Sequence, residues 1–139
     1  MKAILAMAKN RVIGNNGKLP WPSIKNDFKW FQEFTTGKKI IVGKNTFDTL
    51  PLLKNRECMV LTKPVEAIDA YITNQYMVNN NAMTGQMITM EDVESYSQFR
   101  KDCLIVAGGA KTYVKLLPYI KEFYVTHVNG NYDGDTFMP

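Results

Sequence analysis

One carboxylate stands where a carboxylate is costly. Over Ile24–Thr36 the apolar residues recur at helical spacing. On a wheel of about 100° per residue, Ile24, Phe28, Phe31, Phe34 and Trp30 form one arc, with Lys25, Asn26, Lys29, Gln32, Glu33 and Thr36 opposite. Asp27 falls inside the apolar arc, between Phe31 and Phe34. A carboxylate turned toward a core, or toward a cleft bordering it, needs a partner or becomes protonated. Two readings are open. Asp27 serves the helix N-terminus or a nearby backbone group, or it binds a cationic or amidine-like ligand at the bottom of an apolar pocket. No lysine or arginine shares the arc, which favours an external partner.

A second chemistry sits at strand ends. Ile40–Phe47 (IIVGKNTF) and Leu104–Tyr113 (LIVAGGAKTY) each read as a strand that runs into glycine and then a helix. Glycine lets backbone approach a ligand, and a helix N-terminus offers free N–H groups to anions. In open α/β sheets, ligands bind beyond the carboxyl ends of the strands. Each turn also carries a lysine (Lys44, Lys111) and a hydroxyl (Thr46, Thr112), and a third strand ends in Thr62-Lys63. Such turns are common, and each alone is as readily ordinary packing. Together, three lysines at three strand ends would surround a ligand with several phosphates. GxGxxG is absent, and Ala110 stands before Lys111 where a Walker A loop needs glycine, so an ATPase reading is poor.

The elements that must position these residues alternate. Lys2–Ala8 reads as a buried strand, followed by a long loop, Lys9–Pro22, with strong turn signals; a loop of that length is functional or disordered. Ser23 is the expected N-cap of a helix that ends at Gly37. Lys39–Val42 is a strand, Asn45–Leu50 a short helix and Glu57–Leu61 a third strand. One or two short strands are expected at about 70–78, within reach of a soft, polar stretch, Asn74–Gln86. Thr89–Arg100 is an amphipathic helix with Glu91 and Asp92 in its first turn, where acidic residues suit the dipole. Leu104–Ala107 is a strand, Lys111–Leu117 a helix and Ile120–Val128 the last strand. Strands alternating with helices imply an α/β fold with a mixed, mostly parallel central sheet flanked by helices.

Composition narrows the function classes. The 139 residues suit a single domain, 1–139, large enough to bury one core. The net charge is +4, but the lysines are scattered with no aromatic interleaving. That disfavours nucleic acid and suits an anionic small molecule equally well. A single histidine, His127, excludes a multi-histidine metal site, so no metal is expected. Cys58 and Cys103 sit in apolar runs and read as reduced core thiols. No signal peptide or membrane-spanning stretch is visible, so a cytoplasmic protein without membrane contact is expected.

The order of segments resembles the dihydrofolate reductase family. AILAMAKNRVIGNNGKLPW (Ala3–Trp21) is similar to the family's first strand and mobile active-site loop. Then follow Asp27-x-x-x-Phe31, strand-Gly-basic-x-Thr (Val42–Thr46), a strand ending Leu61-Thr62, Gly108-Gly109 before Lys111-x-Tyr113, YVTHV (Tyr124–Val128) and DGDTFMP (Asp133–Pro139). The resemblance covers nearly the whole chain in the right order. It implies NADPH-dependent hydride transfer to C6 of 7,8-dihydrofolate, giving tetrahydrofolate for one-carbon and thymidylate metabolism, with antifolates as candidate inhibitors. Asp27 resembles the acidic residue that binds the pterin N3 and 2-amino group, and Thr126 the threonine that supports it. Asp27 orients the pterin and raises the basicity of N5, whose proton comes from water. Ile4, Ala6, Phe31, Leu50, Leu53, Ala107 and Tyr113 match substrate-pocket positions. Arg56 resembles the arginine that pairs with the glutamate α-carboxylate. For NADPH, the matching positions are Ala6, Ile13, Gly14, Gly43, Lys44, Asn45, Thr46, Leu61, Thr62, Lys63, Gly108, Gly109, Ala110, Lys111 and Thr112. Gly14 through Trp21 would close over nicotinamide and exclude water, with Leu19 and Trp21 in the catalytic set.

The chain departs from the family pattern in four ways. Lysine replaces arginine at Lys44 and Lys111, turning bidentate phosphate contacts into point charges. Ala107 leaves space where a larger aliphatic residue is usual, and Ala110 replaces a glycine. Pro64–Asp102 is longer than in compact relatives. The family's C-terminal edge strands are missing, which would leave Ile120–Val128 at a sheet edge and imply a monomer or a weak dimer. The competing readings are a related pteridine or pyrimidine reductase, and a non-catalytic binding or structural protein on the same fold. Retention of both Asp27 and Arg56 argues against the former.

Overall fold

Ile40, Ile41 and Val42 are fully buried, and such a run, apolar on both faces, belongs inside a parallel sheet. The computed structural model describes residues 1–16, 18–22, 24–62, 76–99 and 104–138. Its strands are β1 (Lys2–Ala8), β2 (Val12–Gly14), β3 (Lys39–Gly43), β4 (Glu57–Leu61), β5 (Tyr76–Val78), β6 (Thr84–Ile88), β7 (Leu104–Val106), β8 (Glu122–Val128) and β9 (Thr136–Phe137). Seven of them form one sheet in the order β5-β6-β4-β3-β7-β1-β8. All neighbours are parallel except β5 and β6. The mixed, mostly parallel sheet is therefore as expected, and β8 lies at its edge. β2 and β9 pair antiparallel in a separate ribbon.

Side chains alternate between two cores along each strand, as the period of two requires. One face carries Ile4, Ile40, Val42, Val60 and Ile105, covered by Phe31 and Phe34 of α1 (Lys25–Thr35) and Phe47 of α2 (Lys44–Thr49). The other carries Ala3, Leu5, Ile41, Met59 and Val106. It is covered by Val93 of α3 (Met90–Phe99) and by Tyr113 and Leu116 of α4 (Ala110–Leu116). Among the described residues no helix is long and apolar enough to cross a membrane. Cys58 is a buried free thiol, and burial pushes its pKa up to about 12. Cys103 lies outside the described residues.

Several local expectations are corrected. The soft stretch ending at Gln86 contributes β6, which pairs with β4 from Cys58↔Gly85 to Leu61↔Ile88. Gly85 hides the strand in the sequence, because glycine weakens strand propensity and marks a close approach. A Cβ there would stand 2.8 Å from both Phe47 Cε1 and Val60 Cγ2. The loop Lys9–Pro22 is partly ordered as β2. On α1, Ile24, Phe28 and Trp30 are exposed, while Thr35 is fully buried. The Thr35 hydroxyl donates to the Phe31 carbonyl at 2.7 Å, so its burial leaves no orphan. The inward face is therefore narrower than the arc and runs Asp27-Phe31-Phe34-Thr35. Ser23 lies outside the described residues, and Ile24 is the N-cap, without a side-chain cap hydrogen bond. Gly37 follows the helix with φ +76, as a glycine after a helix should. Of the strands expected at about 70–78, β5 is present and residues 63–75 lie outside the described set.

Gly85→Ala should destabilise the protein by about 1–3 kcal/mol through overpacking against Phe47. Thermal denaturation measures it; an unchanged melting temperature would refute the close-approach role of Gly85.

Candidate active site

Asp27 is half-buried on the inner face of α1, and among the described residues it has no hydrogen-bond or ion-pair partner. Among those residues it does not cap the helix and accepts from no backbone N–H, which disfavours the first of the two readings. Below it the pocket wall is apolar: Ile4, Phe31, Phe34, Leu50, Leu53, Ala107 and Tyr124 pack in one cluster. Thr126 stands beside Ala6 across the β1–β8 pair and makes no direct bond to Asp27.

Arg56 marks the other end of the same helix face. Its Nη1 donates to Gln32 O at 3.3 Å and to Thr35 Oγ1 at 3.4 Å, while its Nε is buried without a partner among the described residues. The residue borders a groove of about 350 Å³ with Gly37, Lys38, Lys39, Asn55 and Glu57. Eight residues of helical rise separate Asp27 from Thr35, roughly 12 Å. One helix face thus joins a free carboxylate, an apolar wall and a guanidinium.

The glycine turns form a second surface. Parallel pairing aligns the ends of β3 and β7, and Gly43 N donates to Gly108 O at 3.0 Å. Gly43 and Gly109 are the N-caps of α2 and α4, and neither helix has a side-chain cap bond. First-turn N–H groups, which lack intrahelical partners, are thus left for an anion. A Cβ at Gly43 would meet Thr112 Oγ1 at 2.7 Å, and one at Gly109 would meet Thr46 Oγ1 at 3.1 Å. Lys44 lies 3.8 Å from Asp48 Oδ2, both exposed. Lys111 is exposed, as are Asn45 and Lys44, and Ala110 is half-buried. Leu61 ends β4 half-buried; the Thr62 hydroxyl donates to Ile88 O at 3.1 Å. Lys63 lies outside the described residues.

Tyr113 is buried in the core on the other face of the sheet, and its hydroxyl donates to Ile4 O at 2.7 Å. Burial raises its pKa well above the ordinary tyrosine value. Its place is beneath β1, where it fixes the strand that carries Ile4 and Ala6.

The loop after β1 is tied to the chain's last described residues. Ile13 and Gly14 belong to β2, whose partner is β9. Arg11 O accepts from Met138 N at 2.9 Å, Gly14 O accepts from Asp135 N at 3.1 Å, and Asn16 N donates to Asp135 Oδ2 at 3.1 Å. Trp21 is buried with Ala8, Val12 and Val128, edge-on to Tyr132 at 5.7 Å. Its Nε1 is buried without a partner among the described residues. Leu19 is 56% exposed, next to a turn closed by the pairing of Asn15 with Lys18.

The family model for dihydrofolate reductase matches residues 1–139. The chain belongs to the dihydrofolate reductase family. It is 32% identical over 140 residues to a dihydrofolate reductase type 8 of Escherichia coli, covering 99% of this chain and 79% of that protein. It is 31% identical to the dihydrofolate reductase of Bacillus subtilis, covering 98% of this chain and 73% of that one. A solved dihydrofolate reductase from Enterococcus faecalis, complexed with NADP(H) and RAB-propyl, superposes with a TM-score of 0.76 at 29% identity, covering 99% of this chain and 76% of that one.

Dihydrofolate reductases are oxidoreductases that use NADP(H), and the glycine turns fit that cofactor. Two uncapped helix N-termini face the strand ends, the backbone there has no room for side chains, and Lys44 and Lys111 add positive charge. The family's reading of the sequence missed two residues. Phe28, next to Asp27 in the chain and 44% exposed, is a large apolar surface on α1, signalled by its place on the wheel. Asp135 was visible only as part of a motif, and its role emerges from the contact to Asn16.

Gly43→Ala should lower NADPH affinity about tenfold or more by displacing Thr112, with partial recovery in the Gly43→Ala/Thr112→Ala double variant; fluorescence titration reads both, and an unaltered single variant would sink the idea. The Thr136 hydroxyl and the Asn16 N–H hold the Asp135 carboxyl below its ordinary value of 3.8. Its anchoring of the loop is therefore complete above that value and lost as pH falls through the lowered one. Asp135→Asn should speed amide exchange at Asn16 at neutral pH, the difference from wild type disappearing as pH falls through the lowered Asp135 value. A pH-independent difference would contradict the assignment.

Proposed function

We propose that this chain reduces 7,8-dihydrofolate to tetrahydrofolate with NADPH, as a single cytoplasmic domain. The observation that carries the reading is that one face of α1 bears, among the described residues, a carboxylate without a partner at Asp27 and, at Gln32 and Thr35, the contacts of the Arg56 guanidinium. A ligand filling that face needs an amidine-like donor edge, a flat apolar middle and an anionic end. The pterin, aminobenzoyl and glutamate parts of dihydrofolate supply these in order. Antifolates with the same amidine-like edge would compete at Asp27.

NADPH, when bound, supplies the hydride that C6 accepts. The chain's own groups bind and orient. Asp27 accepts hydrogen bonds from N3–H and the 2-amino group, two charge-assisted contacts that fix the pterin in its plane. Its negative charge favours a proton at N5, which comes from water because no side chain is assigned there. Trp21 Nε1–H offers a buried donor at the loop base, and Thr126 supports the Asp27 contact. The apolar wall of Ile4, Ala6, Phe31, Leu50 and Leu53 strips water from the rings. Arg56 takes the glutamate α-carboxylate. The open edge of β8 fits a monomer or a weak dimer.

Wild-type protein should oxidise NADPH only when dihydrofolate is added, read as loss of NADPH absorbance. Asp27→Asn should lower kcat/KM by about a hundredfold or more. A folded wild type that binds NADPH but shows no turnover would overturn the activity; equal turnover in both proteins would overturn only the role of Asp27.

A further inference from the structure

The pocket wall opposite α1 is held from behind. Leu50 is the C-cap of α2, and carbonyls at a helix C-terminus lack intrahelical partners. The turn between β5 and β6 supplies their donors. Asn79 Nδ2 donates to Phe47 O at 2.7 Å and to Leu50 O at 3.0 Å. Asn79 Oδ1 accepts from Asn81 N and from Met83 N, both at 2.9 Å. Both donors and both lone pairs of the amide are used, and only one orientation satisfies all four partners. Asn81 Nδ2 adds a bond to Leu50 O at 2.8 Å, and Met83 Sδ accepts from Leu53 N at 3.4 Å. Three residues of one turn thus grip the segment that carries Leu50 and Leu53 into the cluster with Phe31.

Neither asparagine is part of that apolar cluster. Asn79 is half-buried and Asn81 exposed. Their contacts go to backbone, so they set where the wall stands and not what it is made of. The Asp27 end is held by β1 and α1. The Gly43 turn begins α2, whose far end Asn79 holds through Phe47 O, whereas the Asn81 side chain holds only Leu50 O. Loosening Asn81 should therefore shift the Leu50–Leu53 wall and leave its two neighbours in place.

We infer that Asn79 and Asn81 are positioning residues for substrate, fixing the gap between Leu50-Leu53 and α1 in which the aminobenzoyl group of dihydrofolate is gripped. The inference rests on the dihydrofolate reading of the groove. Asn81→Ala removes one bond to Leu50 O while its backbone N–H still serves the turn. Asn79→Ala removes both side-chain donors.

The test measures KM for dihydrofolate, KM for NADPH and kcat in both variants, together with binding of 6-methyl-7,8-dihydropterin, which lacks the aminobenzoyl part. KM for dihydrofolate should rise about threefold in Asn81→Ala and about tenfold in Asn79→Ala. In Asn81→Ala the KM for NADPH, the kcat and the affinity for the methylpterin should stay within about twofold. An unchanged KM for dihydrofolate in both variants overturns the inference. So does a parallel loss of NADPH and methylpterin binding in Asn81→Ala, which would make the turn a general stabiliser; Asn81→Ala decides if Asn79→Ala fails to fold. A wild type inert toward dihydrofolate fails at the earlier step and removes the basis of the inference with it.

Discussion

Parallel pairing of β1, β3 and β7 is the constraint from which the site follows. Strands that run the same way end on the same rim, and here that rim receives Ala6, Gly43 and the Gly108-Gly109 turn within one sheet. Each strand is short and apolar on both faces, so register is fixed by two cores at once. Helices laid over the two faces then start at the rim, and their unsatisfied N–H groups point where a polyanion can reach them. No charged side chain is needed to create that potential.

The carboxylate of Asp27 answers a different need. Most of the α1 interface is aromatic packing, and a solvated charge within it carries a desolvation cost. Among the described residues it has no partner, and the same helix ends against a guanidinium. Under the proposed reading, a ligand that completes this face is oriented by the order of polar, apolar and ionic groups along the helix.

Much of this was legible in the residues. The runs KAILAMA, KIIV, ECMVL and LIVA declare themselves because burial on both faces leaves no polar alternation to confuse the reading. Asp27 was legible because one acidic residue broke a helical pattern. The failures have physical causes. β6 was invisible because Gly85 yields its own side-chain space to Phe47. β2 and β9 are too short to show a period and exist through pairing between distant segments. Phe28 and Trp30 counted as core on a wheel that cannot know how wide the contact is, and Thr35 took their place through a bond to its own helix. Tyr113 matched a pocket position by order in the chain, yet its hydroxyl is spent on Ile4. Asn79 looks like any turn asparagine until the carbonyls it serves are seen.

The pairing of β1 with β8, and of β2 with β9, joins residues 2–14 to residues 122–137. These are contacts of very large sequence separation, and the entropy of closing so long a loop must be met before they return anything. The central strands β3, β4 and β7 can condense first around their own neighbours. The β1 end of the rim, and the loop that begins with β2, are fixed last, when residues 122–137 pair with them. During synthesis that half of the site therefore waits for residues 122–137 to emerge, and until then the chain holds a hydrophobic nucleus with an unfinished rim.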